Sequence, residues 1–149
     1  MQRVERKAVI GASPAVVFAY LSDLDNLAEW QTGVVSARRT SEGEIGVGAT
    51  ASVTRQLMGQ QLEAPLTITE HDPPRRLAIG SEVSGVKAHV TLDLEPTDDG
   101  RATELTFAME IRGSMLTAFM EPMIAGAAGG DIDTSLARLQ VRFTSDGRV

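Results

Sequence analysis

The chain contains no cysteine. Disulfides, thiolate nucleophiles and Cys-ligated zinc are therefore excluded, and a reducing compartment fits. Only two histidines occur, His71 in the turn-like HDPPRR and His89 between Ala88 and Val90. Neither stands at a recognisable spacing from a nucleophile or within a carboxylate pattern. A Ser-His triad or a metal site is poorly served, and no cofactor is implied. Aromatics are scarce, with four Phe, one Trp and one Tyr, too few for a base-stacking platform. The net charge is −6 and no basic patch stands out, which argues against nucleic acid as a partner. No apolar run approaches a membrane span, so no stable membrane insertion is expected. The opening MQRVERKAVIGA has charges but no apolar signal core, which points to a cytoplasmic protein. GEIGVGAT at 43–50 lacks the Gly-Lys-Ser/Thr ending of a phosphate loop and does not open a helix.

What the 149 residues do hold is one domain, 1–149, long enough for a substantial core. Alternation at Val4 to Ile10 suggests a first strand. Ser13-Pro14 then opens a helix, Ser as cap and Pro at the first position, with Val17, Phe18 and Leu21 on one side. A second short helix lies in SDLDNLAEW, capped by Ser22 or Asp23. From Val34 the period becomes two. Strands are predicted near 3–11, 34–41, 48–58, 61–71, 76–83, 86–96 and 102–112, as a mostly antiparallel meander. A hairpin turn at Gly59-Gln60 sets Val53 opposite Leu66 and Ala51 opposite Ile68. One at Ser84-Gly85 sets Ile79 opposite Val90, and the loop around Gly100 sets Val90 opposite Phe107. Apolar then meets apolar in all three hairpins, a match that a one-residue slip would destroy.

The stretch from about Met115 to Phe143 is the single long helical pattern, and the sheet's apolar face needs it as a cover. Ile132, Leu136, Leu139 and Phe143 form one stripe; Leu116, Met120, Met123 and Ala127 form another on nearly the opposite side. Pro122, Gly126, Gly129 and Gly130 weaken the middle. The helix either kinks or breaks around Pro122 to Gly130, or its first half is buried on both sides. The glycines serve either close packing against the sheet or room for an internal ligand.

The order strand, two short helices, six strands and one long helix comes with three local signatures: IGASPAVVFAYLSDLDNLAEW at 10–30, EHDPPRRLA at 70–78 and LARL at 136–139. Together these resemble the helix-grip superfamily, also called SRPBCC or START/birch-pollen-allergen-like, in its polyketide cyclase/dehydrase and lipid-transport branch. The resemblance covers nearly the whole chain and implies an α+β fold, a curved seven-stranded antiparallel sheet gripping the C-terminal helix around an apolar cavity. It does not imply one activity, since the fold hosts cyclases, lipid carriers and chaperone activators. The chain departs from the usual pattern after LARL, continuing Gln140-Val141-Arg142-Phe143 where many relatives have Lys and an acidic end.

Expected ligand-binding residues are Val53, Arg55, Leu66, Ile79, Val90, Phe107 and Met109 on the sheet, with Leu116, Met120, Met123 and Ala127 on the helix. Small residues on the same face, Ala49, Ala51, Ala64, Ser81 and Ala88, leave volume, or else simply let the helix sit closer. Methionines suit an irregular pocket, although gap-filling in a core is their ordinary use. Arg55, Arg6, Arg39 and Glu70 break the apolar alternation of their strands. Arg55 on a cavity face suits a ligand carboxylate or phenolate; an Arg at the rim would instead snorkel to water. The catalytic residues, if any, are unknown; Arg55 and Tyr20 are the candidates, as a buried cation and a phenolic donor. Three functions compete. The first is binding or transport of a small hydrophobic ligand such as a lipid, polyketide or quinone-like molecule. The second is a polyketide aromatase/cyclase or dehydratase, and the third a chaperone-activator-like interaction module. The assembly is either a monomer or a homodimer.

Overall fold

The computed structural model describes residues 2–57, 59–83, 85–113 and 121–147, with side chains of the last segment described over 129–143. The first strand, β1 (Gln2–Ile10), leads through Gly11 and Ala12 to α1 (Pro14–Ser22). Ser13 caps α1 as its residue type dictates: extended backbone, with Oγ accepting from the Val16 N–H at 3.4 Å and Pro14 following. The predicted second helix is a 3-10 turn, Leu24–Asn26, running into the short α2 (Leu27–Trp30). Asp23 caps the turn by accepting from the Asp25 N–H. Six strands follow: β2 (Val34–Arg39), β3 (Thr50–Leu57), β4 (Gln60–Asp72), β5 (Arg76–Val83), β6 (Val86–Thr97) and β7 (Ala102–Arg112).

These form one antiparallel sheet in the order β1-β7-β6-β5-β4-β3-β2. The β5–β6 register is the predicted one, with Ile79 opposite Val90 and Val83 opposite Val86. The other two hairpins each close two residues away from the expected pairing. Leu57 pairs with Gln60, so Val53 stands opposite Ala64 and Ala51 opposite Leu66. Thr97 pairs with Ala102, so Val90 stands opposite Met109 and Leu92 opposite Phe107. A two-residue slip preserves parity, so the side chains stay on their expected faces up to the end of β4. Glu70 departs from its expected face because the register jumps between Ile68 and Glu70, a bulge that turns it outward. There it pairs with Arg76 at 3.6 Å.

The long helix, α3 (Glu121–Gly147), is continuous, so no break occurs at Gly126, Gly129 or Gly130. Its Ile132, Leu136, Leu139 and Phe143 stripe is buried against the sheet and the α1–α2 segment. Gly129 is closely packed: a Cβ there would stand 3.0 Å from Arg6 Nη2 and 3.7 Å from Val4 Cγ1. Arg6, in turn, donates from Nε to Asp133 Oδ1 at 3.0 Å, and Gln140 Nε2 donates to the Val9 carbonyl. α3 therefore lies along β1, an edge strand of the sheet.

Candidate ligand cavity

Between the inner face of the sheet and the 129–135 turns of α3 the core does not close, leaving a cavity of about 140 Å³. Period two explains its sheet wall. Leu66 on β4, Ile79 and Ser81 on β5, Val86, Ala88 and Val90 on β6, and Phe107, Met109 and Ile111 on β7 all point inward. Ala88 is the small residue in this array, between Ser81 and Ile111 on the neighbouring strands. Ile132 supplies the apolar helix wall, and the Gln31–Gly33 segment after α2 forms part of the rim.

Among the described lining residues, Arg55 and Asp131 carry the only charges. Arg55 makes no side-chain hydrogen bond or ion pair among the described residues, and neither does the Asp131 carboxylate. Burial pulls the Arg55 guanidinium below its ordinary value, and nearby Asp131 partly offsets this. Burial likewise raises Asp131, against the influence of Arg55. Both shifts have the same physical cause: a charged group placed where water cannot fully solvate it. Two hydroxyls of the lining, Ser81 Oγ on the sheet and Thr32 Oγ1 after α2, are buried without a hydrogen-bond partner among the described residues. By contrast, Ser135 Oγ donates to the Asp131 carbonyl at 2.7 Å and accepts from the Thr32 N–H at 2.8 Å. The arrangement is a mostly apolar chamber whose lining includes one cation, Arg55, one anion, Asp131, and the unpartnered hydroxyls of Ser81 and Thr32.

Of the residues expected from the sequence, Arg55, Leu66, Ile79, Val90, Phe107 and Met109 line this cavity. Val53 is fully buried in the packed core and is not part of the lining. Tyr20 also lies elsewhere, with its O–H donating to Glu29 Oε1 at 3.1 Å and its ring under the Arg142 guanidinium at 4.2 Å. Leu116 and Met120 lie outside the described residues; Met123 and Ala127 lie on α3, where their side chains are outside the description. Arg39 binds the Gly43 carbonyl near the β2 edge, and Arg6 is engaged by Asp133. Sequence reasoning missed Asp131, Ser135 and Gln31–Gly33. Asp131 and Ser135 stand four apart beside Ile132 and Leu136, so a wider reading of the buried stripe was the available signal. Nothing in the loop sequence marks Thr32.

A seven-stranded antiparallel sheet curved over a long C-terminal helix, with a cavity between them, defines the helix-grip fold class. The chain belongs within that class to the polyketide cyclase/dehydrase and lipid transport family, whose profile matches residues 1–144. No curated protein matches it significantly. Among solved structures, a START superfamily protein from Mycobacterium smegmatis superposes with a TM-score of 0.80 at 12% identity, covering 96% of this chain and 97% of that one. A protein from Thermus thermophilus gives 0.79 at 15% identity, covering 97% and 99%. The Zhui aromatase/cyclase from a Streptomyces species gives 0.75 at 14% identity, covering 95% and 94%. At such identities the likeness is one of fold. Among the described residues no helix is long and apolar enough to cross a membrane.

Proposed function

We propose that the protein binds a small, mostly hydrophobic ligand in this cavity, with an oxygen-bearing end of the ligand at Arg55. The observation that carries the reading is the set of lining groups with no partner among the described residues: the Arg55 guanidinium, Ser81 Oγ and Thr32 Oγ1. A buried polar group left unpaired costs about 1–3 kcal/mol, which a hydrogen-bonding occupant relieves. The rest of the wall is apolar, the usual composition of a small-molecule site. Its volume of about 140 Å³ is close to that of an engineered apolar cavity of about 150 Å³ that takes up benzene. One ring, or a short stretch of alkyl chain, fits inside. Membership of a family of cyclases, dehydrases and lipid transporters supports a lipid, a polyketide or a quinone-like molecule as the class.

The second reading, an aromatase/cyclase or dehydratase, is favoured by Arg55 itself. A cation beside apolar volume, with no partner among the described residues, is suited to stabilise a developing enolate. Tyr20 is engaged outside the cavity and has no part in that reading. A chaperone-activator-like module would have been favoured by a filled interior, and the unfilled volume counts against it.

Mass spectrometry of an organic extract of the purified protein, with calorimetric titration of apolar dyes and neutral alkylphenols, tests the binding reading. The expected result is a copurifying hydrophobic molecule or binding in the micromolar range. A folded protein that yields neither ends the reading. Turnover of a poly-β-ketone that falls about a hundredfold in Arg55→Leu would favour the enzyme.

A further inference from the structure

We propose that Asp131 acts as a charge filter at the rim of the cavity, so that the site prefers a neutral hydroxyl-bearing head group, a phenol or an enol, to a carboxylate. The inference rests on the ligand-binding reading above and adds a selection rule to it. Arg55 alone would attract any anion. Yet the described lining holds one cation and one anion, so it carries no net charge. A carboxylate entering it sheds its hydration, a penalty of several kcal/mol for a buried ion. It then meets a guanidinium whose charge is already balanced, and a second carboxylate beside it.

A phenol or enol meets different conditions. It is neutral, so it loses little hydration. Its oxygen can accept from Arg55 while its proton is donated to Asp131. Neither group has another hydrogen-bond partner among the described residues, they do not form an ion pair with each other, and both line the same cavity, so a hydroxyl there has an acceptor in Asp131 and a donor in Arg55. The backbone at Gly33 approaches the Asp131 carboxylate at contact distance. Gly33 has φ +92°, and a Cβ there would stand 3.6 Å from Asp131 Oδ2. Ser135, bound to the Asp131 carbonyl and the Thr32 N–H, fixes that turn of α3 against the same rim. The buried Ser81 and Thr32 hydroxyls, at separate places in the lining, offer further hydrogen bonds to other oxygens of the ligand.

The test uses three ring-sized probes of one shape, ethylbenzene, 4-ethylphenol and 4-ethylbenzoate, titrated calorimetrically into the full chain near neutral pH. The expected order is phenol tightest, with benzoate at least about fivefold weaker, the factor set by about 1 kcal/mol between charges 4 Å apart in water. Asp131→Asn removes the charge and keeps an acceptor oxygen on an exposed side chain, so the fold is retained. In that variant benzoate is expected to gain at least about fivefold while the phenol changes less. Benzoate binding as tightly as the phenol, with ethylbenzene also bound, overturns the filter and leaves the cavity reading standing. An unchanged phenol-to-benzoate ratio in Asp131→Asn overturns the role of Asp131 in the same way. If none of the three probes binds, the filter and the ligand-binding reading fall together.

Discussion

Ser135 on α3 and Thr32 after α2 are joined by one hydrogen bond, from the Thr32 N–H to the Ser135 Oγ at 2.8 Å. The same hydroxyl donates to the Asp131 carbonyl at 2.7 Å, and Ser135 is only 1% exposed. One side chain thus spans the long helix and the segment that rims the cavity. Replacing Ser135 by Ala leaves the Thr32 N–H without its acceptor, which should cost about 1–3 kcal/mol. For a chain of this size that lowers the melting temperature by roughly 2–4 °C per kcal/mol. Amide exchange at Thr32 should accelerate as well. An unchanged melting temperature together with unchanged exchange would show that the bond does not hold the rim.

Arg55 provides the opposite case, a buried charge that no hydrogen bond from the described residues compensates. Removing such a group by Arg55→Leu should leave stability within about 1 kcal/mol or raise it, because the desolvation cost disappears with the charge. Affinity for 4-ethylphenol should fall about tenfold, in line with the loss of a hydrogen bond to a charged donor. Urea denaturation and calorimetry on the same variant separate the two effects. A stability loss above about 2 kcal/mol would mean that Arg55 holds the fold instead of waiting for a ligand.

These two positions also mark how far the sequence could be read. Arg55 was legible because it interrupts a period-two alternation, and parity survives even when the pairing is misjudged. The hairpin after Leu57 closes on Gln60, and the loop after Thr97 holds Asp98, Asp99 and Gly100 at positive φ before Ala102 resumes the ladder. Each moves the partners by two residues and leaves the faces alone. Gly59 lies at φ +82° inside its turn, so a glycine identified the hairpin without fixing which residues flank it. The bulge before Glu70 had no such marker, and the outward turn of that carboxylate was not legible. Asp131 meets the cavity only because α3 takes one particular rotation against the sheet. That rotation is set by tertiary packing of the Ile132 stripe, which leaves the flanking polar positions undetermined until the helix is docked.

Tyr20 should titrate far from an ordinary tyrosine. Burial pushes its phenol up to about 12, with Arg142 pulling down and the hydrogen bond to Glu29 adding to the rise. The folded state thus holds the proton more tightly than the unfolded chain, where the group ionises near about 10. The stabilisation is full below that unfolded value and is lost as the pH climbs through the folded one. Ultraviolet titration of this sole tyrosine should place the phenolate transition near 12. Arg142→Gln should move it higher still. A transition at the ordinary value, or a downward move in the variant, would contradict the packing between α1 and α3.

The two glycines at the start of the described helix surface should respond differently to alanine. At Gly130 an added Cβ meets nothing within 4 Å, so Gly130→Ala gains helix propensity of about 0.5–1 kcal/mol without a packing cost. At Gly129 the added Cβ stands 3.0 Å from Arg6 Nη2, so the guanidinium, held by Asp133 through Nε, has to give by a few tenths of an ångström. Gly129→Ala should therefore gain less than Gly130→Ala, as read from denaturant midpoints. Equal gains at the two positions would show that β1 does not constrain the helix at Gly129.

The most direct test of unfilled volume is Ala88→Leu. Ala88 lines the cavity on β6, opposite Ser81 on β5 and Ile111 on β7, both of which also face the space. In a close-packed core three added carbons force neighbours off their rotamers and cost about 1–3 kcal/mol. Here the new side chain enters existing volume and buries its methyls there, a gain of roughly 0.8 kcal/mol per buried methylene-sized group. The melting temperature should hold or rise, while binding of ethylbenzene and 4-ethylphenol should disappear. Trp30, the sole tryptophan, packs edge-on against the lining residue Phe107 at 6.2 Å between ring centroids, so its fluorescence reports occupancy. Loss of the ligand-induced fluorescence change with the fold intact places the probe in this cavity. A melting temperature that collapses instead would show that the space closes in solution, and both the binding reading and the selectivity built on it would lose their physical basis.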